Sequence, residues 1–433
     1  MIGPAAYGWH MRTATWATNR DINAARLSWE RAQTIADGSP AEDPNRAAMR
    51  IAPRTMLCGI AWRVHAHAAG DRFDELRELC DAAGDKASLA IAMAGLVMDH
   101  AHQGRAREAS QLASEAMALI ESLGDPTLTV GLSISLTYAK GETSEYCDVL
   151  RWSQRVIDLA DGDPSKGNFI IGSPLAVAFT TRAIARWSHG RPGWPDDVQH
   201  GLAMARSADP MSYALAVAYI YNPGIPHGVL TADDRAVREI EDALRIVERS
   251  GDDVALAFTQ TAVGVALVHR QTAPERERGQ KLLAEVSDVF LRRGHNLGEL
   301  PIVNVYLARE RARGGDRDAA ISLMRAAVDD LVRQGQLACG VWGVPATGVL
   351  VETLLDRGTD GDVAEADAAI ERFLAAPADE GLVIRDIWLL RLRALLARAR
   401  RDEAAYRDYW DRYRDMARTL GFEGHIAWAE AMP

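Results

Sequence analysis

The chain has 433 residues, 48% hydrophobic, 25% charged and 6% aromatic, with a formal net charge of -11. That composition is globular and not disordered. The acidic balance excludes a broad surface for direct nucleic-acid contact and argues against attachment to anionic lipid, both of which need clustered Lys and Arg.

Taken in chain order, the first predicted helices lie within "YGWHMRTATWATNRD" (7–21) and "RDINAARLSWERAQTIAD" (20–37). The start carries no basic, apolar leader, and the chain opens inside a repeat with no polar helix before it. This implies that another domain or a partner packs there. The next stretch, ending "RVHAHAAGD", and the apolar run "ASLAIAMAGLVM" (87–98), ending "MDHAHQGR", close on equivalent pairs, His65/His67 and His100/His102. Residues i and i+2 of a helix point apart, so neither pair chelates alone, and both read as helix-end residues. The apolar run is too short for a membrane span of roughly 20 residues and reads as a buried helix.

A repeat then becomes visible. "GRAREASQLASEAMALIESLGD" (104–125), "GDRDAAISLMRAAVDDLVRQG" (315–335) and "GDVAEADAAIERFLAAPAD" (361–379) each open on Gly and place Ala109, Ala320 or Ala366 in one register. Ala116, Ala327 and Phe373 follow seven residues later, and Ala25 and Ala32 keep the same spacing. Ile321, Met324, Val328 and Leu331 share one helical face, as do Val237, Ile240, Leu244 and Val247. Before each amphipathic helix stands a more apolar one, headed by Pro53, Pro126, Pro174, Pro210, Pro301 or Pro345. Asp125, Ser173 and Asp209 are natural N-caps for three of these. Gly70, Gly141, Gly190, Gly314 and Gly358 close the apolar runs. The amphipathic helices are expected to begin near 20, 71, 105, 143, 194, 232, 274, 316, 362 and 402. The fold class is therefore all-α: an α-α superhelix of about nine or ten hairpins, continuous over 1–433.

Two passages stand out. In "RPGWPDD", Trp194 sits at a turn and is expected to be partly exposed, whereas Trp62, Trp152, Trp187, Trp342 and Trp388 are expected in the core. In "AYIYNPGIPHGVLTADD" (218–234), Asn222-Pro223-Gly224 is expected to stop a helix begun at Pro210. Thr231 with Asp234 has capping-box spacing for the next helix. The connection between them is longer than the usual turn and reads as a structural joint or as a contact loop on the concave face. Trp194, Tyr219, Tyr221, Asn222 and His227 are the candidate residues for a ligand or partner. The chain closes with 402–433, a helix dense in Arg and Asp and a short last helix, read as capping helices.

Catalytic, cofactor and metal motifs are missing from the sequence. No lysine follows a glycine, so there is no P-loop, and no H-E-x-x-H, G-x-S-x-G or G-x-G-x-x-G occurs. Cys58, Cys80, Cys147 and Cys339 form no CxxC pair and read as buried small hydrophobes in a reducing, cytoplasmic compartment. Acidic pairs such as Asp196–Asp197 and Asp233–Asp234 read as helix-start caps.

The hairpins resemble tetratricopeptide-like repeats. The end, "ARTLGFEGHIAWAEAMP", and "WPDDVQHGLAMARSADPMSYALAVAYIY" resemble the C-terminal helical arrays of actinobacterial proteins that join an adenylate/guanylate cyclase domain, an AAA or STAND-type ATPase and a repeat region, with LuxR-type regulators among their relatives. The resemblance implies a repeat region without catalysis, standing alone or as the tail of a longer polypeptide. Its expected role is a scaffold or sensor regulating signalling domains. Its expected partners are a protein or peptide, or signalling domains fused to or missing from its N-terminus. A small ligand in the groove, and an unfamiliar active site there using His227 and Tyr221, are the alternatives.

Overall fold

The computed structural model describes residues 4–64, 69–170, 172–250, 252–294, 296–336, 341–377 and 379–432. Among these residues the regular structure is entirely helical. The hairpins run α1 (Pro4–Ala17) with α2 (Ile22–Asp37), then α3 (Arg46–Ile60, continued by a 3₁₀ turn at Ala61–Arg63) with α4 (Ala69–Ala83). Next come α5 (Lys86–His102) with α6 (Ala106–Leu123), α7 (Pro126–Glu142) with α8 (Tyr146–Ala160), and α9 (Pro174–Ser188) with α10 (Trp194–Ala208). The second half holds α11 (Pro210–Gly224) with α12 (Asp234–Val247), α13 (Asp253–Val268) with α14 (Ala273–Arg293), and α15 (Leu300–Arg313) with α16 (Arg317–Gln334). It finishes with α17 (Gly343–Arg357) and α18 (Asp360–Ala375), α19 (Val383–Ala399) and α20 (Glu403–Leu420), and α21 (Glu423–Ala431). Every expected amphipathic start falls within a few residues of an even-numbered helix. None of the helices is long and apolar enough to cross a membrane.

Local chemistry explains most boundaries. Asp125, Ser173 and Asp209 accept hydrogen bonds from the first-turn amides of α7, α9 and α11, each with proline in that turn. The register alanines Ala25, Ala32, Ala109, Ala116, Ala320, Ala327 and Ala366 are all buried, as is Phe373. Some expectations fail. Pro53 does not head a helix but lies inside α3, whose last eight residues are nearly all buried. Asn222-Pro223-Gly224 does end α11, but from inside it: the helix takes in all three residues, and the connection begins after Gly224 and not at Asn222. Proline removes one N–H, and the loss is tolerated because Ile225 and His227 carry the hydrogen bonding onward to Tyr221 and Pro223. The cap of α12 is Asp233, which accepts from the Ala236 amide, and the Thr231 hydroxyl instead donates to Glu423.

The odd-numbered helices from α3 to α19 pack on one another as an inner layer, and the even-numbered ones cover them from outside. The inner helices α7, α11 and α13 bury nearly every residue. A helix apolar all round must be covered on both sides. The inner side is covered by the superhelix itself. From α3 to α11, the end of the inner helix meets the head of the inner helix five hairpins later. Arg63 bonds Asp252, which caps α13. The Leu297 amide, before α15, donates to the His102 carbonyl at 2.7 Å. Gln336, before α17, donates to Glu142 at 2.7 Å. A Cβ on Gly190, after α9, would touch Val383 at the head of α19. The amides of Glu423 and His425, in α21, donate to the carbonyls of Val229 and Gly228. Two superhelical turns are thus stacked along one seam, helix C-terminus to helix N-terminus. Terminal carbonyls and amides are satisfied across it and the dipoles align.

The expected core tryptophans Trp62, Trp152, Trp187, Trp342 and Trp388 are all buried. Cys58 and Cys80 are buried as expected, but Cys147 is exposed, because it sits in the first turn of α8 on the outside of the seam. Cys339, His65 and His67 lie outside the described residues.

Candidate functional site

Most of the long connection after α11 is buried, and it borders open space only at its ends, through Ile225 and Leu230, Thr231, Ala232 and Asp233. It is the seam at its hairpin. His227 is 2% exposed, and its Nε2 donates to the Val341 carbonyl at 2.6 Å. Burial pushes its imidazole down to about 4. Trp388 Nε1 donates to the His227 carbonyl at 3.3 Å, and Gly228 lies against Gly424 so closely that a Cβ on Gly424 would sit 2.8 Å from its Cα. Asn222 is fully buried, and among the described residues neither polar atom of its side chain has a hydrogen-bond partner. Tyr221 is nearly buried and donates to Glu239 at 2.6 Å. Trp194, expected to be partly exposed at a turn, is buried edge-on against Trp187 and Phe422. A turn residue becomes a core residue here because the end of α20 folds over it. An open groove of about 400 Å³ does lie beside Leu230, Arg270 and Trp428. The charge of Arg270 in that groove is already answered by Asp234 and Glu275.

Tyr219 is the sequence candidate that reaches a cavity. Two small spaces lie at the centre of the superhelix, open to water centres over about 40 and 30 Å³. Tyr138, Tyr219 and Phe258 belong to both. Each space holds on the order of two to four water-sized groups. Aromatic rings run through the walls: Trp62 stacks on His102 at 5.5 Å, His102 meets Tyr138 at 5.4 Å, Tyr138 meets Tyr219 edge-on at 6.0 Å, and Tyr219 meets Phe258 at 5.3 Å. The rings come from α5, α7, α11, α13 and the 3₁₀ turn, so both superhelical turns contribute.

Two acids stand at this centre. Glu142, the last residue of α7, is 4% exposed and lines the first space. Burial pushes its carboxyl up to about 8, against the opposing pull of hydrogen bonds from Gln336 and Tyr138. Glu299, at the head of α15, is 1% exposed. Burial, and then the charge of Glu142, push it well above the carboxylate range. The Tyr138 phenol interacts with both acids, yet among the described residues neither Glu299 oxygen has a partner within ordinary hydrogen-bond distance. Among the described residues no lysine or arginine pairs with either acid. The side-chain amide of Asn296 and the side-chain oxygen of Gln336 are also buried, without partners among the described residues. Buried acids without a base must hold a proton or face a cation.

No signal in the sequence marks Glu142 or Glu299. Each sits at a helix terminus in an ordinary polar context, and only the five-hairpin offset brings them together.

No family model matches the chain, and no curated protein matches it. Among solved structures it is similar to a Rap protein complexed with competence and sporulation factor, at 10% identity over 97% of this chain and 98% of that one, with a TM-score of 0.42. It is also similar to yeast Tom70, at 13% identity over 99% and 94% of the chains, with a TM-score of 0.37.

Proposed function

We propose that the chain is a non-catalytic helical-repeat sensor that takes a compact organic cation, a small amine or guanidinium-type ion, in its central cavity. The observation that carries this reading is the pairing of Glu142 and Glu299 with aromatic walls and no base. A cation replaces the proton on the acids, and the ring faces of Tyr138, Tyr219 and Phe258 attract it further. The walls come from both turns, so an occupant ties one turn to the other and tightens the superhelix. That change is what a protein partner, or attached signalling domains of the cyclase, ATPase or transcription-regulator kind, would read in the cytoplasm.

The test is a thermal-shift and calorimetric titration with methylammonium, ethylammonium and guanidinium at pH 6 and pH 8. Affinity is expected to rise with pH, by at most about tenfold per unit for one displaced proton. Glu142→Gln and Glu299→Gln should each weaken binding and flatten its pH dependence. Absence of binding by all three probes, or equal binding by both variants, overturns the reading.

A further inference from the structure

Away from the central cavity, the seam brings together three side chains that the sequence keeps far apart. Cys147 is the second residue of α8, His189 follows α9, and Asp379 lies in the connection between α18 and α19. Their ligand atoms all fall within 4.8 Å of one another. His189 Nε2 is 3.8 Å from Cys147 Sγ and 3.9 Å from an Asp379 carboxylate oxygen. His189 Nδ1 is 3.3 Å from the Ala185 carbonyl, four residues back in the helix. That carbonyl accepts the ring proton, so Nε2 is the bare nitrogen, aimed at the other two groups.

The arrangement is not a Cys–His–Asp relay. In a relay the carboxylate orients the imidazole through the nitrogen opposite the thiol. Here thiol and carboxylate converge on the same nitrogen. The spacings suit an ion instead: bonds of about 2.3 Å to sulfur and about 2.05 Å to nitrogen or oxygen, at tetrahedral angles, hold ligand atoms about 3.5 Å apart. The carboxylate is also oriented, because the Cys147 amide donates to Asp379 at 2.9 Å. The Nδ1–H to carbonyl bond and this amide bond are the outer contacts that ligands of a metal site receive. His189 is nearly enclosed while Cys147 is open to solvent, which gives an ion a route in.

We propose that Cys147, His189 and Asp379 bind one zinc-class divalent ion, with solvent in the fourth position, and that the ion clamps the first superhelical turn to the second. Sulfur and imidazole donors select zinc or cobalt over magnesium or calcium. On binding, the metal–sulfur bond forms as the thiol proton leaves to solvent, and no electron changes hands. The site stands apart from the cation reading, and either can fail alone.

The test is a Co²⁺ titration of the purified full chain, followed by absorbance. A thiolate-to-cobalt charge-transfer band with tetrahedral ligand-field bands should saturate at one ion per chain and vanish on adding Zn²⁺. Cys147→Ser should abolish the charge-transfer band, and His189→Ala should weaken binding at least about tenfold. Asp379→Asn serves in place of the histidine variant if that variant fails to fold. Zn²⁺ should raise the melting temperature of the parent chain and not that of Cys147→Ser, whose metal-free circular dichroism should match the parent. No thiolate band, or a band that persists in Cys147→Ser, overturns the site.

Discussion

At the residue scale, the buried pair of Arg63 and Asp252 tests how the seam is held. Both side chains are 1% exposed and bonded at 2.7 Å, and Arg63 also donates to the Ile170 carbonyl at 2.6 Å. Replacing Arg63 with methionine strands a buried carboxylate, which costs about 3–5 kcal/mol. Urea denaturation of Arg63→Met should show a loss of that size, and a loss below about 1 kcal/mol would mean that water reaches Asp252. Glu142 gives a pH signature. Its carboxyl is raised to about 8 in the folded chain, whereas the unfolded chain ionises near the ordinary value of about 4.3. Between those values the folded state holds the extra proton, so stability is full below the lower value and falls as pH rises through 8. Glu142→Gln removes this dependence. In paired melts the variant should gain on the parent between pH 5 and pH 8, and an unchanging difference would place the titration elsewhere.

At the element scale, the docking of α21 includes one very close backbone approach. A Cβ on Gly424 would lie within 2.8–3.0 Å of the Gly228 backbone, which cannot give way as a side chain can. Gly424→Ala should therefore cost about 1–3 kcal/mol and loosen this end of the seam. Hydrogen exchange should speed up for the amides of Glu423 and His425 while α5 and α7 stay protected. Uniform exchange across the chain would refute a local seam. Helix starts were legible in the sequence because their causes are local: Asp125, Ser173 and Asp209 precede prolines, and alanines repeat in register. The path of the chain through Pro223 was not, because the turns that carry it past α11 are stabilised by α21 and Trp388, distant in sequence. Trp194 misled for the same reason: its cover, Phe422, comes from far along the chain. The missed clue lay in α7, α11 and α13. Helices without a polar face leave no side free for an open concave groove. That pattern could have told that the centre is filled. It could not have told that Glu142 and Glu299 meet there.

At the scale of the whole molecule, stacked turns change how the array should unfold. An open solenoid, in which each repeat touches only its neighbours, melts approximately as a sum of local terms. Here Arg63 bonds Asp252, and the amides of α21 bond the carbonyls after α11, so first-turn hairpins hold second-turn ones directly. Thermal unfolding followed by calorimetry and by far-ultraviolet circular dichroism should give coincident transitions. Separate melting of the two halves would show that the seam carries little free energy.

The same seam sets a rule for how this protein can change length. The contacts between helix ends and helix heads along the seam join a hairpin to the fifth one after it, as Leu297 joins His102 and Gln336 joins Glu142. Duplicating or deleting one hairpin would shift all the later partners by one place, much as a slipped strand turns its inward residues outward. Outer-layer turns such as Gly124, where an added Cβ meets nothing within 4 Å, have room for extra residues. Whole repeats are countable parts here, and their number is constrained like the teeth of meshed gears.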